Sequence, residues 1–162
     1  MASQRNNYTN EDEKAWRQLS FSWATAYNTK NWSLLDSIAA PQVQILVSEV
    51  SQKRGDRTWP KSEYIAHFSS KPMLGDERLQ SQHLLGAVVF DANGDDSAVG
   101  HWQLQTGLYR TLADGSVREW TVALYVDHLY ERIQDTWKFA GFRPHTKLWE
   151  RGEMYDVMGV FD

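Results

Sequence analysis

The chain of 162 residues contains no cysteine. This absence excludes a disulfide framework, a zinc site built on thiolates and a cysteine nucleophile. An excess of basic residues is also missing, because 17 Lys and Arg stand against 21 Asp and Glu and the formal net charge is −4. We therefore expect neither nucleic acid nor an anionic membrane surface as a partner.

Long apolar runs are absent as well. The N-terminus, MASQRNNYTNEDEKAW, lacks the apolar core of a secretory signal, and no later stretch is long enough to span a bilayer. We therefore expect a soluble cytoplasmic protein. What the chain does have is eight Trp, seven Tyr and six Phe, which is ample apolar material for the core of a single domain over residues 1–162.

Familiar catalytic motifs are missing too. The chain has no glycine-rich phosphate loop, no His-Glu-x-x-His and no Gly-x-Ser-x-Gly. The five histidines are dispersed without the spacing of metal ligands: His67, His83, His101, His128 and His145. We therefore expect neither metal nor nucleotide chemistry.

Apolar residues recur at helical spacing in three segments. In the first, Trp16, Leu19, Trp23 and Tyr27 repeat every three or four residues, and Asn10 is available as the N-cap. The three predicted helices cover residues 11–27, 31–41 and 59–75.

The remaining segments alternate in the manner of strands. The first predicted strand covers residues 43–47, and a polar loop follows it. Four more strands, at residues 79–90, 98–110, 116–131 and 137–144, are separated by DANGDD, LADGS and QDT, which suit tight antiparallel turns. This order predicts an α+β fold, in which helices pack on one face of a curved, mostly antiparallel sheet and leave a pocket between the two layers. A short closing helix is expected around Met154 and Met158.

One histidine lies in a stretch, LQSQHLLGA, that has the pattern of a buried strand. His83 shares its strand parity with Leu85 and Ala87, so its imidazole should face the core. It is either a core histidine satisfied by a backbone carbonyl or a functional group. On a later strand, His101 and Gln103 alternate with the apolar residues Trp102 and Leu104, so their side chains should face away from the pocket.

The segments WATAYNTKNWSLLDSIAAP, SSKPMLGDERLQSQHLLGA, GHWQLQ and WKFAGFRP suggest which reading applies. From Trp23 to Met158 the chain resembles the scytalone dehydratase family, within the SnoaL-like, NTF2-like superfamily. The resemblance implies a cone-shaped barrel around a closed cavity, a homotrimer, no cofactor, and elimination of water from a bicyclic polyketide intermediate.

The resemblance also assigns catalytic positions. The catalytic histidine of the family matches His83, and the tyrosine at the end of its first helix matches Tyr27. Asn28 stands where the family has an aspartate that steadies the histidine. Because an amide orients an imidazole without raising its pKa, we expect His83 to be neutral at pH 7. Trp23, one turn before Tyr27, could line the pocket.

Several other family positions are apolar in this chain. Val47 stands for the second tyrosine, Leu108 for a second histidine, and Leu124 and Val126 for a serine and an asparagine. The two lid phenylalanines match Met154 and Met158. With Val47 in place of a tyrosine, a water bridging to the substrate would have a single phenolic partner, so we expect Tyr27 to donate to a substrate oxygen directly.

These positions predict a drier cavity for a small hydrophobic, hydroxylated cyclic substrate of the polyketide or terpenoid type. The expected reaction is acid/base dehydration, with or without a following ring closure. Two alternatives remain: an isomerase or pericyclase-like cyclase that loses no water, and a non-catalytic ligand-binding module. His128, near an expected strand end, is interpreted with His101 as structural or surface-exposed.

Overall fold

The computed structural model describes residues 8–51 and 53–161. Three helices precede most of the sheet: α1 (Asn10–Thr29), α2 (Trp32–Ile38) and α3 (Lys61–Phe68). The six strands are β1 (Ala39–Ile45), β2 (Arg57–Pro60), β3 (Leu79–Ala92), β4 (Ser97–Thr111), β5 (Val117–Ile133) and β6 (Thr136–Arg151). One irregular turn spans Lys71–Gly75, and a 3-10 turn spans Met154–Asp156.

The sheet has the order β2-β1-β6-β5-β4-β3. Strands β3 to β6 form the antiparallel meander that the turn sequences predict, and among the described strands only the pairing of β1 with β6 is parallel. The prediction of helices packed on a curved, mixed sheet is confirmed. Within the described residues the sheet does not close into a complete barrel, since β2 and β3 remain its two edges.

Helix α1 packs against β3 and β6 through the residues that its periodicity picks out, including Trp16, Trp23 and Tyr27, all buried. Its N-cap is Thr9, so the assignment of Asn10 was wrong. The Thr9 hydroxyl accepts from the Asp12 N–H, and the Asp12 carboxylate accepts from the Thr9 N–H. This reciprocal capping box satisfies two backbone donors at the start of the helix.

Other boundaries also differ from the prediction. Helix α2 ends at Ile38, so Pro41 lies inside β1. The third predicted helix is split, because α3 ends at Phe68 and the chain then folds back so closely that a Cβ on Gly75 would lie 1.9 Å from the Ser69 carbonyl oxygen. The short strand β2 was missed, and the closing helix is only one 3-10 turn.

Strand β3 carries a β-bulge between Leu85 and Val88. The bulge changes the parity, so Val88 packs against the core while Ala87 is exposed. The expectation that Ala87 shares the inward face of His83 was therefore wrong. The parity argument does hold for His83 and Leu85, which precede the bulge.

A buried ion pair fastens the C-terminal segment under the sheet. Arg110 of β4 is fully buried; its Nη1 donates to Asp76 (2.6 Å) and its Nε to the Val157 carbonyl (2.5 Å). The guanidinium also lies 4.4 Å from the centre of the Phe161 ring. Burial opposes ionisation of Asp76, but hydrogen bonds from Arg78 and Arg110 outweigh it and hold the pKa of that carboxyl well below its usual range.

Over residues 8–51 and 53–161, none of the helices is both long enough and apolar enough to span a membrane.

Candidate active site

A cavity of about 710 Å³ lies between the helices and the concave face of the sheet. That volume is typical of a pocket for a small organic molecule. Its inner wall is mostly aliphatic and aromatic: Ile45, Leu104, Leu108, Val122, Leu124, Val126 and Phe142. Tyr27, His83 and Thr106 supply polar atoms along this wall.

Asn28, in the last turn of α1, holds the His83 imidazole in one orientation. Its side-chain oxygen Oδ1 accepts from the backbone N–H of His83 (2.8 Å) and lies 2.9 Å from His83 Nδ1. Because a backbone N–H can only donate, Oδ1 is the acceptor, and His83 Nδ1 must carry a hydrogen to donate to it. The remaining nitrogen, Nε2, then has a free lone pair.

His83 is a neutral base in this setting. Burial lowers the pKa of His83 to about 4, since no carboxylate offsets the loss of hydration. The rings of Trp23 and Tyr27 pack against it, with centroids 5.1 and 5.3 Å away. Among the described residues Nε2 has no hydrogen-bond partner, and His83 lines the cavity, so this nitrogen is available to a ligand.

Tyr27 has a phenolic partner that the sequence reading missed. Its Oη lies 2.8 Å from Oη of Tyr64, a fully buried residue of α3. Burial and the neighbouring phenol raise the pKa of Tyr27 well above its usual value, so the hydroxyl keeps its proton. The spacing of Tyr64 and Phe68 indicates only a buried helix face, and nothing in it marks the Tyr64 hydroxyl as functional.

The seven residues predicted to contact substrate all line the cavity: Trp23, Val47, Leu108, Leu124, Val126, Met154 and Met158. Asn28 does not line the cavity; it contacts the Nδ1 side of the His83 ring instead. Thr106 was missed, although it pairs with His83 across β3 and β4 and is buried in the cavity wall. Its strand position, between Leu104 and Leu108 on the inward face, could have identified it.

His128 was placed wrongly. It lies in the middle of β5, fully buried, with Nδ1 2.7 Å from Ser20 Oγ and its ring 4.7 Å from that of Trp23. Burial lowers the pKa of His128 to about 3, and the neighbouring His83 adds to the effect. Its Nε2 is buried and unpartnered among the described residues.

His101 and Gln103 lie outside the cavity lining, as predicted. His101 Nδ1 instead lies 2.7 Å from the buried carboxylate of Asp127, which Arg143 also contacts at 2.5 Å. Over residues 8–51 and 53–161, no three His, Cys, Asp or Glu side chains are grouped in a way that could hold a metal ion.

Comparison with known proteins shows the family. The model of the scytalone dehydratase family matches residues 7–162. The chain belongs to this family. Scytalone dehydratase arp1 of Aspergillus fumigatus is 31% identical, over 97% of this chain and 95% of its own length. Scytalone dehydratase of Colletotrichum orbiculare is 32% identical, over 99% of this chain and 85% of its own. The chain is thus an enzyme of the dehydratase type.

Solved structures agree on the fold. The Kfla4162 protein of Kribbella flavida superposes with a TM-score of 0.74 at 18% identity, covering 91% of this chain and 96% of its own. A type 2 hexachlorocyclohexane dehydrochlorinase, LinA, gives a TM-score of 0.68 at 14% identity, over 88% of this chain and 89% of its own. The NTF2-like architecture expected from the sequence is confirmed.

Proposed function

We propose that this member of the scytalone dehydratase family removes water from a small hydrophobic, hydroxylated cyclic substrate of the polyketide or terpenoid class, without a cofactor. The observation that carries the proposal is the double hydrogen bond from His83 to Asn28 Oδ1. It fixes the tautomer that leaves the Nε2 lone pair available to a ligand in an apolar cavity. A neutral imidazole in that position suits a one-residue proton shuttle.

In the proposed reaction, His83 Nε2 takes a proton from a carbon next to a substrate carbonyl. The reaction requires Tyr64 to be the donor in its hydrogen bond with Tyr27, so that the Tyr27 hydroxyl can donate to the carbonyl oxygen as negative charge develops there. The new imidazolium then gives its proton to the departing hydroxyl, so that water leaves, a carbon–carbon double bond forms and His83 returns to its neutral state. Because burial lowers the pKa of His83 to about 4, the imidazole is a weak base, and the substrate must have an activated C–H.

Ring closure after dehydration is a second candidate. It is favoured by the aliphatic side chains of Val47, Leu108, Leu124 and Val126, which line the cavity where the family resemblance implies polar groups. Such walls would hold a newly formed polyene or quinone methide folded, and positioning alone can lower a barrier substantially.

The test is to incubate the purified protein with an extract of hydroxylated cyclic metabolites from its own source and to follow masses by chromatography. A product lighter by one water, present with wild type and with His101→Ala but absent with His83→Ala, is the expected result. A product of unchanged mass and altered retention would replace dehydration by isomerisation or cyclisation. No product at all would reject the proposed substrate class.

We also propose a homotrimer, as the family resemblance implies. Large apolar side chains on the outer surface of the strands support association: Leu84, Val89, Tyr109, Leu148 and Trp149 are each 47% exposed or more. Light scattering after size exclusion should give three times the chain mass of 18.8 kDa; a monomer or dimer would contradict it. A cytoplasmic location remains a prediction from the sequence.

A further inference from the structure

The mouth of the cavity is positively charged, although the whole chain is acidic. Side chains from the connection between β1 and β2 and from the C-terminal part of β6 line it, together with the turn that follows. The cations at this mouth are Lys53, Arg54, Arg57 and Lys147, and the carboxylates are Glu150 and Glu153. The mouth therefore has two more positive than negative charges, against a net charge of −4 for the protein.

Among the residues that the structure describes, three of the four cations lack a counter-ion. Lys147 is paired with Glu150 at 2.5 Å. Within residues 8–51 and 53–161, no carboxylate lies within 4 Å of the charged groups of Lys53, Arg54 or Arg57. Asp56, their neighbour in sequence, accepts instead from the N–H and hydroxyl of Ser48. The positive charge of these three side chains is therefore free to act on a ligand.

One aromatic ring, that of Tyr155, contacts two of these cations beside the opening. Lys53 Nζ lies 5.0 Å and the Arg54 guanidinium 5.6 Å from the centre of the Tyr155 ring, which itself lines the mouth. The charge of Arg54 also acts on His67, a residue of the cavity wall. Burial lowers the pKa of His67, and repulsion from Arg54 lowers it further.

The interior contrasts with this mouth. The groups around His83 are aliphatic, aromatic or neutral and polar, and all the lysine and arginine side chains that line the cavity lie at its mouth. A carboxylate placed beside His83 would lose its hydration without gaining a cationic partner, which is costly. A ligand with an anionic group must therefore keep that group at the mouth.

We propose that the substrate is an amphipathic acid, with its ring system buried against His83 and a free carboxylate held by Lys53, Arg54 and Arg57. This inference rests on the proposed function and adds the substrate class and its orientation: the carbon that loses the hydroxyl points inward and the carboxylate outward. Charges of this kind also attract an anionic substrate from solution.

The test uses two planar probes of the same shape, 2-naphthoate and 2-naphthamide, which differ in charge. Their dissociation constants are measured by titration calorimetry at low and high salt. Wild type should bind the acid about tenfold more tightly than the amide, and salt should weaken only the acid. The triple variant Lys53→Gln, Arg54→Gln, Arg57→Gln should lose this preference and keep its amide affinity within about twofold.

A matched control removes three exposed cations away from the cavity: Lys14→Gln, Lys71→Gln and Arg118→Gln. It changes the net charge equally and should keep the preference. The proposal is overturned if wild type binds both probes equally, if the triple variant weakens both alike, or if the control loses the preference too. Because binding needs no turnover, a failed dehydration assay with an intact acid preference would reject the proposed function alone. Turnover without that preference would reject only this inference.

Discussion

Histidines on the two faces of the sheet have pKa values shifted in opposite directions. On the concave face, burial lowers the pKa of His83 to about 4 and of His128 to about 3. On the convex face, burial also opposes the charge of His101, but hydrogen bonds and attraction from Asp127 and Asp91 outweigh it and raise the pKa of that imidazole. The residue type is the same, so the partner decides the charge state.

The comparison shows why Asn28 matters. Asn28 and Asp127 both contact an imidazole Nδ1, at 2.9 and 2.7 Å respectively, and both orient the ring. Only the carboxylate also stabilises the imidazolium. The amide therefore provides orientation while leaving the base neutral at pH 7.

The largest effect should come from giving the concave face a carboxylate. In Asn28→Asp, the pKa of His83 should rise by about 1 to 3 units, because an opposite charge then lies within contact distance. An NMR titration of the imidazole would measure the shift, and the acid limb of the pH–rate profile should move in the same direction. An unchanged pKa would show that desolvation alone governs the site.

A second effect concerns stability in acid. Both concave-face histidines have a pKa below the unfolded value of 6.5, so the unfolded chain binds more protons and stability falls as the pH drops below about 6.5. His128→Phe removes one of the two, and Ser20 keeps its 2.6 Å bond to Tyr130. Between pH 7 and pH 4.5 the free energy of unfolding should fall by about 2 kcal/mol less in the variant than in wild type. This difference corresponds to roughly 4 to 8 °C in Tm. If Tm falls with pH equally in wild type and in His128→Phe, the buried, neutral state of His128 is contradicted.

A smaller change is expected on the convex face. His101 has a raised pKa, so its contribution to stability is present below pH 6.5 and is lost as the pH rises through the folded pKa. Asp127→Asn should lower the pKa of His101 toward its ordinary value in an NMR titration. Turnover should stay within about twofold of wild type, because this cluster does not line the cavity. A large loss of turnover would mean that the two faces are coupled.

A small effect on turnover should distinguish Tyr64 of α3, which lies above the concave face, from a tyrosine on the convex face. Tyr64→Phe removes the hydroxyl bonded to Tyr27, and turnover should fall about fivefold, the equivalent of one neutral hydrogen bond. Tyr125→Phe, on the convex face, is the control and should have no effect. Equal turnover in the two variants would remove Tyr64 from the proposed site.

Much of this arrangement could be predicted from the sequence because it depends on local pattern. The 3.6-residue period places Trp23 and Tyr27 on the buried side of α1, and strand parity turns His83 inward. Where a bulge interrupts the strand, parity fails, and Ala87 was therefore misplaced. Strand β2, with four residues, is too short to produce a recognisable alternation.

Contacts between distant segments could not be read from local pattern. The bond between Tyr27 and Tyr64 joins two helices, and the bond of Ser20 to His128 spans 108 positions in sequence. The pairing of Asn28 with His83 was anticipated only through the family resemblance. The free cations at the mouth were likewise invisible, because SQKRGDR has the composition of any solvated loop.

The buried ion pair of Arg110 and Asp76 restricts where substrate and water can enter the cavity. It fastens the segment after Met154 to the sheet through the Val157 carbonyl and the Phe161 ring. Detaching that segment would strand a buried guanidinium, so we expect this side of the cavity to stay shut throughout the catalytic cycle. Substrate and water would then enter and leave between the β1–β2 connection and Tyr155. The contacts of Lys53 and Arg54 with the Tyr155 ring would control how often this opening widens.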